Sequence, residues 1–251
     1  VTDVYSDTIW TIYALSEGEC ESLIDMTFDG ISYTDPLYDG YAIPYFLPGS
    51  TTQAAQANLV AASALWTTAH QLKGICYVAV KYLFNNEVFS SGTEPAPTFE
   101  IKGKKLYDPR TTTTVYSQNP ALVLYDYLIS TKYGKSLTAA ELDGIVAGAN
   151  YCDSLVTDNT GGSAQSIKLF EFHGTLTTAV SVKKNTEAIL FTIRGHLPWI
   201  SGKYTLVIER DDDTSVYSIV EDSITDTFMV KETGVKSIAN IMYYSIVYRS
   251  A

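Results

Sequence analysis

The central third of the sequence restricts the fold most strongly, because it marks two helix starts between stretches of strand-forming composition. Asn119 is a favourable N-cap, and Pro120 suits the first helical position, where its missing N–H costs nothing. The apolar residues that follow share one helical face, and we predict that this helix ends near Tyr133-Gly134. Thr138 and Glu141 have capping-box spacing and predict a second helix. Its predicted buried stripe consists of Leu142, Ile145, Val146 and Ala149.

The N-terminal part has the composition and alternation of β-strands. Residues 9–15 and 23–28 are predicted strands, and the second ends at the turn dipeptide Asp29-Gly30. Residues 74–84 are apolar on both faces, which predicts a strand in the centre of a sheet. Residues 99–106 are predicted to form a further strand.

The remaining segments complete this outline. Residues 35–50 are rich in Pro, Gly and Tyr and are predicted to form an ordered loop. Residues 51–65 are rich in Ala and Gln, which predicts a helix capped by Ser50. A further helix is predicted at 185–194, ended by Gly195. Strands are predicted at 167–172, at 199–209 as a hairpin around Ser201-Gly202, and at 217–220, 227–231 and 238–248.

These elements predict an α+β fold with β-rich ends and a helical middle. The chain has 251 residues, enough for one large domain or two smaller ones. We divide it into residues 1–110, a β-rich domain with one helix, and residues 111–251, a helical segment followed by a second β-rich domain.

The acidic composition argues against a nucleic-acid-binding protein. The 28 acidic and 17 basic residues give a net charge of -11, whereas nucleic-acid binding requires basic residues that neutralise phosphates. No apolar run reaches the roughly 20 residues needed to span a bilayer, and no signal peptide is visible. Cys20, Cys76 and Cys152 lie far apart and are odd in number. We interpret them as small buried apolar residues of a protein that folds in a reducing cytoplasm.

The histidines, cysteines, aspartates and glycine-rich segment lack the spacing that catalytic or metal sites require. His70, His173 and His196 are not spaced like metal ligands, and no Cys-x-x-Cys pair is present. Gly161-Gly162-Ser163 lacks the flanking strand and helix of a phosphate-binding loop, so we interpret it as a flexible loop tip. Asp211-Asp212-Asp213 is interpreted as a solvated turn, because calcium loops need spaced oxygen ligands. We therefore assign no catalytic, metal-binding or cofactor-binding residue.

Three glutamates near the N terminus leave one catalytic hypothesis open. Glu17, Glu19 and Glu21 alternate and would share one face of a strand. Carboxylates held about 5–9 Å apart carry out glycoside hydrolysis, so a wall-degrading hydrolase is one hypothesis. A charged rim is the simpler interpretation, and we favour it.

A series of specific segments between residues 92 and 153 points to a family rather than to a reaction. The segments are FEIKGKKLYDPR at 99–110, YSQNPAL at 116–122, DYL at 126–128, KYG at 132–134 and ANYCD at 149–153. They resemble the central region of the tail tip hub proteins of long non-contractile-tailed phages, the family of the lambda host-specificity protein J. Further segments resemble that family in the same order: LSEGECE at 15–21, LKGICYV at 72–78, FHGTL at 172–176 and GHLPWISGKY at 195–204.

The residues of these segments are suited to fixing geometry. Asp108-Pro109 forces a turn after a strand, because proline fixes its own φ and restricts the residue before it. We expect Arg110 to pair with Asp108 or Asp126 and so to pin that turn to the following helix.

The resemblance implies β-rich hub domains, similar to phage baseplate hubs, joined by a helical middle segment. It implies a non-enzymatic virion component at the tail tip, which closes the distal end of the tail tube and takes part in host attachment and genome delivery. The implied assembly is a homotrimer, formed in the host cytoplasm, in contact with the distal tail protein, the tape measure protein and other tail tip proteins. DNA would pass through its lumen without specific binding.

Members of this family are usually much longer, so the chain is expected to be a minimal hub or the hub core of a longer protein. A host surface receptor would then be bound through regions outside this chain. The alternative function is a carbohydrate- or receptor-binding module of the tail tip, in which the aromatic residues of segment 38–46 stack on a ligand.

Overall fold

The computed structural model of the protein describes residues 8–85, 87–89, 96–159 and 164–210. These residues form a mixed α+β structure with more strand than helix, which confirms the predicted fold class at that level. Contacts divide the chain into one unit from Val1 to Glu209 and another from Arg210 to Ala251. The boundary predicted after residue 110 stays a prediction.

The first sheet has three antiparallel strands, and its middle strand is buried. Strands β1 (Thr8–Glu17) and β4 (Ala42–Leu47) pair with opposite edges of β5 (Ile75–Leu83). The side chains of β5 from Cys76 to Val80 are fully buried. This confirms the central strand that its two apolar faces predict.

The second sheet has four antiparallel strands in the order β3-β2-β6-β7. They are β2 (Cys20–Phe28), β3 (Ile31–Ser32), β6 (Thr98–Asp108) and β7 (Thr113–Tyr116). The predicted turn at Asp29-Gly30 is confirmed, since both residues have positive φ. Both sheets contribute to one hydrophobic cluster, which consists of Met26, Phe28, Ala42, Val78, Val80, Tyr82 and Phe89.

Three helices form the second hydrophobic cluster. They are α2 (Pro120–Ile129), α3 (Ile145–Cys152) and α4 (Val182–Thr192), and α2 contacts both of the others as well as β6. Leu106 of β6 belongs to this cluster, together with Leu206 and Ile208 near the end of the described chain. Strand β6 therefore runs from the second sheet into the helical core.

Seven short strands of the described residues lie between and after these helices along the chain. They are β8 (Leu142–Asp143), β9 (Leu155–Asp158), β10 (Gln165–Lys168), β11 (Gly195–His196), β12 (Trp199–Ile200), β13 (Lys203–Thr205) and β14 (Val207–Ile208). β9 pairs with β10 and β11 with β14, both antiparallel. β12 and β13 form the predicted hairpin, in which the turn residues Ser201 and Gly202 have φ of 50° and 83°.

Two predictions for residues 35–65 are wrong in part. The segment predicted as loop contains β4, because the edge of β5 supplies backbone partners, and Pro44 is tolerated on an edge strand. The helix predicted at 51–65 is limited to α1 (Ala57–Ala62), and its N-cap is Gln56 rather than Ser50. The buried Gln53 amide accepts from the Gly49 N–H and donates to the carbonyls of residues 71 and 72, so the preceding residues pack as a loop.

The two central helices differ from the prediction at their ends. Asn119 and Pro120 start α2 as predicted, but α2 ends at Ile129, before Tyr133-Gly134. The capping box of Thr138 and Glu141 is present, but it precedes only a 3₁₀ turn. α3 begins at Ile145 because β8 first pairs in parallel with β13. In the predicted buried stripe Val146 is 46% exposed, and Leu142 is buried in β8 instead of a helix.

The remaining differences lie near α4. This helix begins at Val182, capped by the Ser181 hydroxyl, before the predicted residue 185. Arg194, with φ of 50°, takes the left-handed position after the helix that we predicted for Gly195. The strand predicted at 167–172 overlaps β10 (Gln165–Lys168) only at residues 167 and 168, so this prediction is wrong for 169–172. The strands predicted at 217–220, 227–231 and 238–248 lie outside the described residues.

Candidate functional site

A lysine of β6 joins the second sheet to helix α2. The Lys104 ammonium donates to both carboxylate oxygens of Asp126, at 2.6 and 2.7 Å, and also to the Tyr133 oxygen. Tyr133 in turn donates its hydroxyl to Asp126 Oδ2 at 2.8 Å. Burial opposes the charge of Lys104, but the hydrogen bonds that it donates to Asp126 and Tyr133 outweigh burial and raise the pKa of this lysine. The three side chains form a closed polar cluster at the sheet–helix junction.

The N-terminal segment LSEGECE folds onto the same strand. A Cβ on Gly18, whose φ is 92°, would stand 2.6 Å from Lys104 Cε, so this position accepts only glycine without displacement of the lysine. The neighbouring Lys105 ammonium lies 2.8 Å from Glu19 and 3.5 Å from Glu21. Glu17 instead pairs with Lys132, beyond the end of α2.

These contacts correct the predicted arrangement of the three glutamates. Glu17 ends β1, Glu19 lies in the turn and Glu21 belongs to β2, so they do not share one face of a single strand. Each carboxylate faces a lysine ammonium. The premise that the three glutamates share one strand face is therefore wrong.

A second charged cluster fixes the turn after β6. The Arg110 guanidinium binds Asp108 through Nε at 2.9 Å and through its terminal nitrogen at 2.7 Å, as predicted. Its other partners are Asp153 at 2.8 Å and Asn150 at 3.2 Å, both at the C-terminal end of α3. The predicted alternative partner Asp126 is wrong, because Lys104 occupies that carboxylate.

The arginine stabilises the charged forms of its partners. Its hydrogen bonds hold the pKa of Asp108 below the ordinary value, although burial acts in the opposite direction. Burial also acts to raise the pKa of Asp153, but hydrogen bonds from Lys168 and Arg110 outweigh it, and that pKa is lowered too. Both carboxylates therefore carry full charge at neutral pH.

A buried amide connects the two central helices. Asn119 is fully buried, and its Oδ1 accepts from the N–H groups of Ala121 and Leu122 at 3.0 and 3.4 Å. Its Nδ2 donates to the carbonyl of Ala149 in α3 at 2.9 Å. One side chain thus caps α2 and fixes the position of α3.

The histidines have separate, exposed surroundings. His70 accepts from the Thr67 N–H and stacks on Trp66. His173 lies 3.3 Å from a carboxylate oxygen of Glu171, and His196 lies 3.1 Å from one of Glu209. Within residues 8–85, 87–89, 96–159 and 164–210 no group of three or more His, Cys, Asp or Glu is placed to hold a metal ion. The segments at 161–163 and 211–213 lie outside the described residues.

An open groove of about 560 Å³ lies beside β4. It is lined by residues 44–48 of β4 and its end, Ser50, and residues 53–57 at the start of α1. The Tyr45 ring stacks on Trp10 of β1 with centroids 5.4 Å apart. The aromatic residues Tyr45 and Phe46 and the buried residues Gln53 and Gln56 are among those that line it.

A scan against protein-family models finds no match, and a search of curated proteins finds no relative. Among the described residues, no helix has the length and apolar character needed to cross a membrane. The family resemblance of the sequence segments therefore stays an expectation.

Sequence reasoning found the Asp108–Arg110 pair and the Asn119 cap because both are local. It missed the Lys104–Asp126–Tyr133 cluster and the contact of Arg110 with Asp153. These partners come from separate elements, and only their charge or chemical type was visible in the sequence.

Proposed function

We propose that the chain is a structural subunit of a phage tail tip, forming the central hub that closes the distal end of the tail tube. In this proposal it makes and breaks no bond in a substrate. It works in the virion, after assembly in the host cytoplasm, and takes part in host attachment and genome delivery.

The proposal rests on one observation: the segments that resemble the hub family contact one another in the fold. Segment 15–21 contacts Lys104, Lys105 and Lys132, which belong to segments 99–110 and 132–134. Segment 99–110 in turn binds segments 126–128 and 149–153 through the two charged clusters. Residues that are specific in sequence thus hold one another in place, as expected of a scaffold whose neighbours require a fixed shape.

Exposed apolar side chains support the proposal that the chain assembles with other copies or other proteins. Between residues 180 and 207 they comprise Val180 at 37%, Phe191 at 87%, Trp199 at 58%, Ile200 at 47% and Val207 at 42% exposure. Aromatic side chains of this kind are enriched in protein–protein interfaces. A cyclic homotrimer would bury such residues against a different surface of the next copy.

The proposed partners follow from a place at the tail tip. They are two further copies of the chain, the distal tail protein, the tape measure protein and other tail tip proteins. The net charge of -11 suits a lumen through which DNA passes without binding. A host receptor would be contacted by regions outside this chain.

Mass measurement of the purified chain tests the proposed ring. We expect a species of three times the 27.6 kDa of one chain, alone or after addition of the distal tail protein. A stable monomer at high concentration that binds no other tail protein would contradict the proposal.

The groove beside β4 favours a second candidate function, the binding of a carbohydrate or receptor. Tyr45 lines this groove, and aromatic rings of this kind stack on sugars. A glycan array tests this function with the Tyr45→Ala variant and with Tyr107→Ala, a tyrosine on β6, as the matched control. Binding that only the Tyr45 variant loses would support it, and an array without any bound glycan would exclude it for the sugars tested.

A further inference from the structure

Strand β4 lies at an edge of the first sheet, and its outer side pairs with no strand of the described residues. The Leu83 N–H donates to the Tyr41 carbonyl at 2.8 Å, so the residue just before β4 forms a hydrogen-bonded pair with β5. Because such pairs alternate along antiparallel strands, Pro44 and Phe46 direct their backbone groups away from β5. Pro44 agrees with this register, since proline has no N–H to donate to a partner strand.

The outward backbone groups of β4 form a short unused edge. They include the Pro44 carbonyl and both the N–H and the carbonyl of Phe46. Within the described ranges no backbone hydrogen bond outside the β4–β5 ladder uses these three groups. Both residues line the groove beside β4. A strand edge of this kind accepts a further extended chain, which is bound through its main-chain groups.

The groove is lined by uncharged residues. Residues 44–48, 50 and 53–57 include no Asp, Glu, Lys or Arg, and the whole segment 41–72 contains none. A charged side chain buried in this groove would find no opposite charge among the lining residues, which is costly. The groove therefore fits an extended segment without charged side chains.

The hairpin of β9 and β10 exposes strand edges in another part of the fold. It is a sheet of two strands that pairs with no third strand of the described chain, an arrangement that is at best marginally stable alone in water. Three of its apolar side chains are exposed, Leu155 at 67%, Val156 at 38% and Ile167 at 42%. A further contact would cover both the apolar side chains and an open edge.

One hydrogen bond at the base of the hairpin shows which residues face outward. The Leu169 N–H donates to the Ser154 carbonyl at 2.8 Å, so these two residues form a hydrogen-bonded pair. By the same alternation, Leu155 and Thr157 direct their backbone groups away from β10. The outer edge of β9 thus presents two residues with the spacing of Pro44 and Phe46.

The two edges of the hairpin differ in charge. The outward residues of β10 are Ser166 and Lys168, and the Lys168 ammonium lies 2.8 Å from Asp153. The outward residues of β9, Leu155 and Thr157, are uncharged. The β9 edge therefore fits the uncharged groove, whereas the β10 edge would bring a lysine into it.

We propose that β9 of one copy adds to the free edge of β4 of a second copy, so that the first sheet continues from one copy into the next. Outward N–H groups of β9 donate to the Pro44 and Phe46 carbonyls, and the Phe46 N–H donates to a carbonyl of β9. The two surfaces differ, so the contact is heterologous and its repetition can close a ring. The inference rests on the proposed function for self-assembly and deepens it by naming the two surfaces that meet.

Hydrogen exchange of the full chain, measured below and above the concentration at which it associates, tests the contact directly. We expect exchange at the amides of Phe46, Leu155 and Thr157 to slow at least about tenfold on association, because each N–H gains a partner. Slow exchange at Phe46 that does not depend on concentration would overturn the proposal, because the edge would then be covered within one copy.

A proline on each edge of the hairpin gives a matched pair of variants. Thr157→Pro removes an outward N–H of β9 and leaves the pairing with β10 intact, so self-association should weaken at least about tenfold in light scattering. Ser166→Pro removes an outward N–H directly opposite, on the β10 edge, and should leave association unchanged. Equal losses in the two variants would overturn the choice of β9.

A variant of the groove tests the other side of the contact. Ala54 is an exposed lining residue, and Ala54→Glu should weaken association at least about tenfold, because it places a charge beside the added strand. Ala54→Glu keeps an intact β9, and Thr157→Pro keeps an intact β4. Their mixture should therefore form a dimer of one copy of each and no larger ring. A mixture without this dimer at the highest soluble concentration would overturn the proposal.

The outcomes separate this contact from the proposed hub. Wild-type rings that Thr157→Pro and Ala54→Glu both leave intact would overturn the contact between β9 and β4 and leave the hub standing. A wild type that is monomeric at every concentration, alone and with other tail proteins, would contradict both.

Discussion

At the scale of single residues, the charged side chains of the central segments connect elements. Lys104 binds the carboxylate of Asp126, and Arg110 binds those of Asp108 and Asp153. In these three ion pairs every side chain is less than one third exposed. Ion pairs of this kind contribute more than exposed pairs, and removal of one partner leaves the other charge poorly solvated.

Replacement of Asp126 by Asn tests the Lys104 cluster. We expect the free energy of unfolding to fall by about 1–3 kcal/mol, because Lys104 loses its anion within a partly buried site. The measurement is urea unfolding at neutral pH. The control is Lys132→Met, which removes the exposed pair with Glu17 and should cost at most about 1 kcal/mol. Equal losses in the two variants would contradict the assigned role of Lys104.

The Arg110 cluster predicts a dependence of stability on pH. The folded pKa values of Asp108 and Asp153 lie below the ordinary 3.8, so their contribution is complete above that pH and is lost as the pH falls through the folded pKa. Arg110→Met should lower the free energy of unfolding by about 2–3 kcal/mol at pH 7.

The difference between the wild type and Arg110→Met should shrink as the pH is lowered below 3.8, and unfolding curves across this range measure it. The control is Lys183→Met, which removes an exposed charge on α4 and should alter stability little at any pH. A difference that stays constant down to the acid limit would show that the carboxylates are not the partners of Arg110.

At the scale of elements, the start of α2 holds the helical part together. Two of the polar helix caps differ in burial, because Asn119 before α2 is fully buried and Ser181 before α4 is exposed. Only Asn119 also donates to another helix, through the Ala149 carbonyl.

The two caps therefore give a matched comparison. Ser181→Ala should cost about 1 kcal/mol, the usual value of a lost N-cap. Asn119→Ala should cost about 2–4 kcal/mol, because it also removes the hydrogen bond from Asn119 to the Ala149 carbonyl, which keeps only the Asp153 N–H, and opens a cavity. Thermal unfolding of both variants measures the difference, and similar losses would refute a bridging role for Asn119.

The elements also show what could be predicted from the sequence. The start of α2, the central strand β5 and the hairpin at Ser201-Gly202 were predictable, because caps, alternation and turns are encoded within a few residues. Strand β4 and the shortened α1 were not, because they depend on the edge of β5 and on the buried amide of Gln53.

The same limit applies to the site. The Arg110–Asp108 pair spans two positions and was predicted, whereas Lys104 meets Asp126 only once β6 lies against α2. The sequence shows which residues are charged, but it does not show which distant residue each of them contacts.

At the scale of the whole molecule, the exposed apolar residues near the end of the described chain should support assembly. Phe191 is 87% exposed on α4, so it contributes little to the stability of a single copy.

Phe191→Ser should therefore weaken self-association at least about tenfold without lowering the free energy of unfolding by more than about 0.5 kcal/mol. Light scattering across a dilution series measures the association. Lys183→Gln, an exposed change on the same helix, should leave it unchanged. An unaltered mass distribution for the Phe191 variant would exclude this face of α4 from the proposed ring.

The most direct measurement of the central proposal is an image of intact tails in which the chain carries a label. We expect three labels around the axis at the distal tip and none along the tube. Tails without any label, or labels elsewhere on the particle, would contradict a hub.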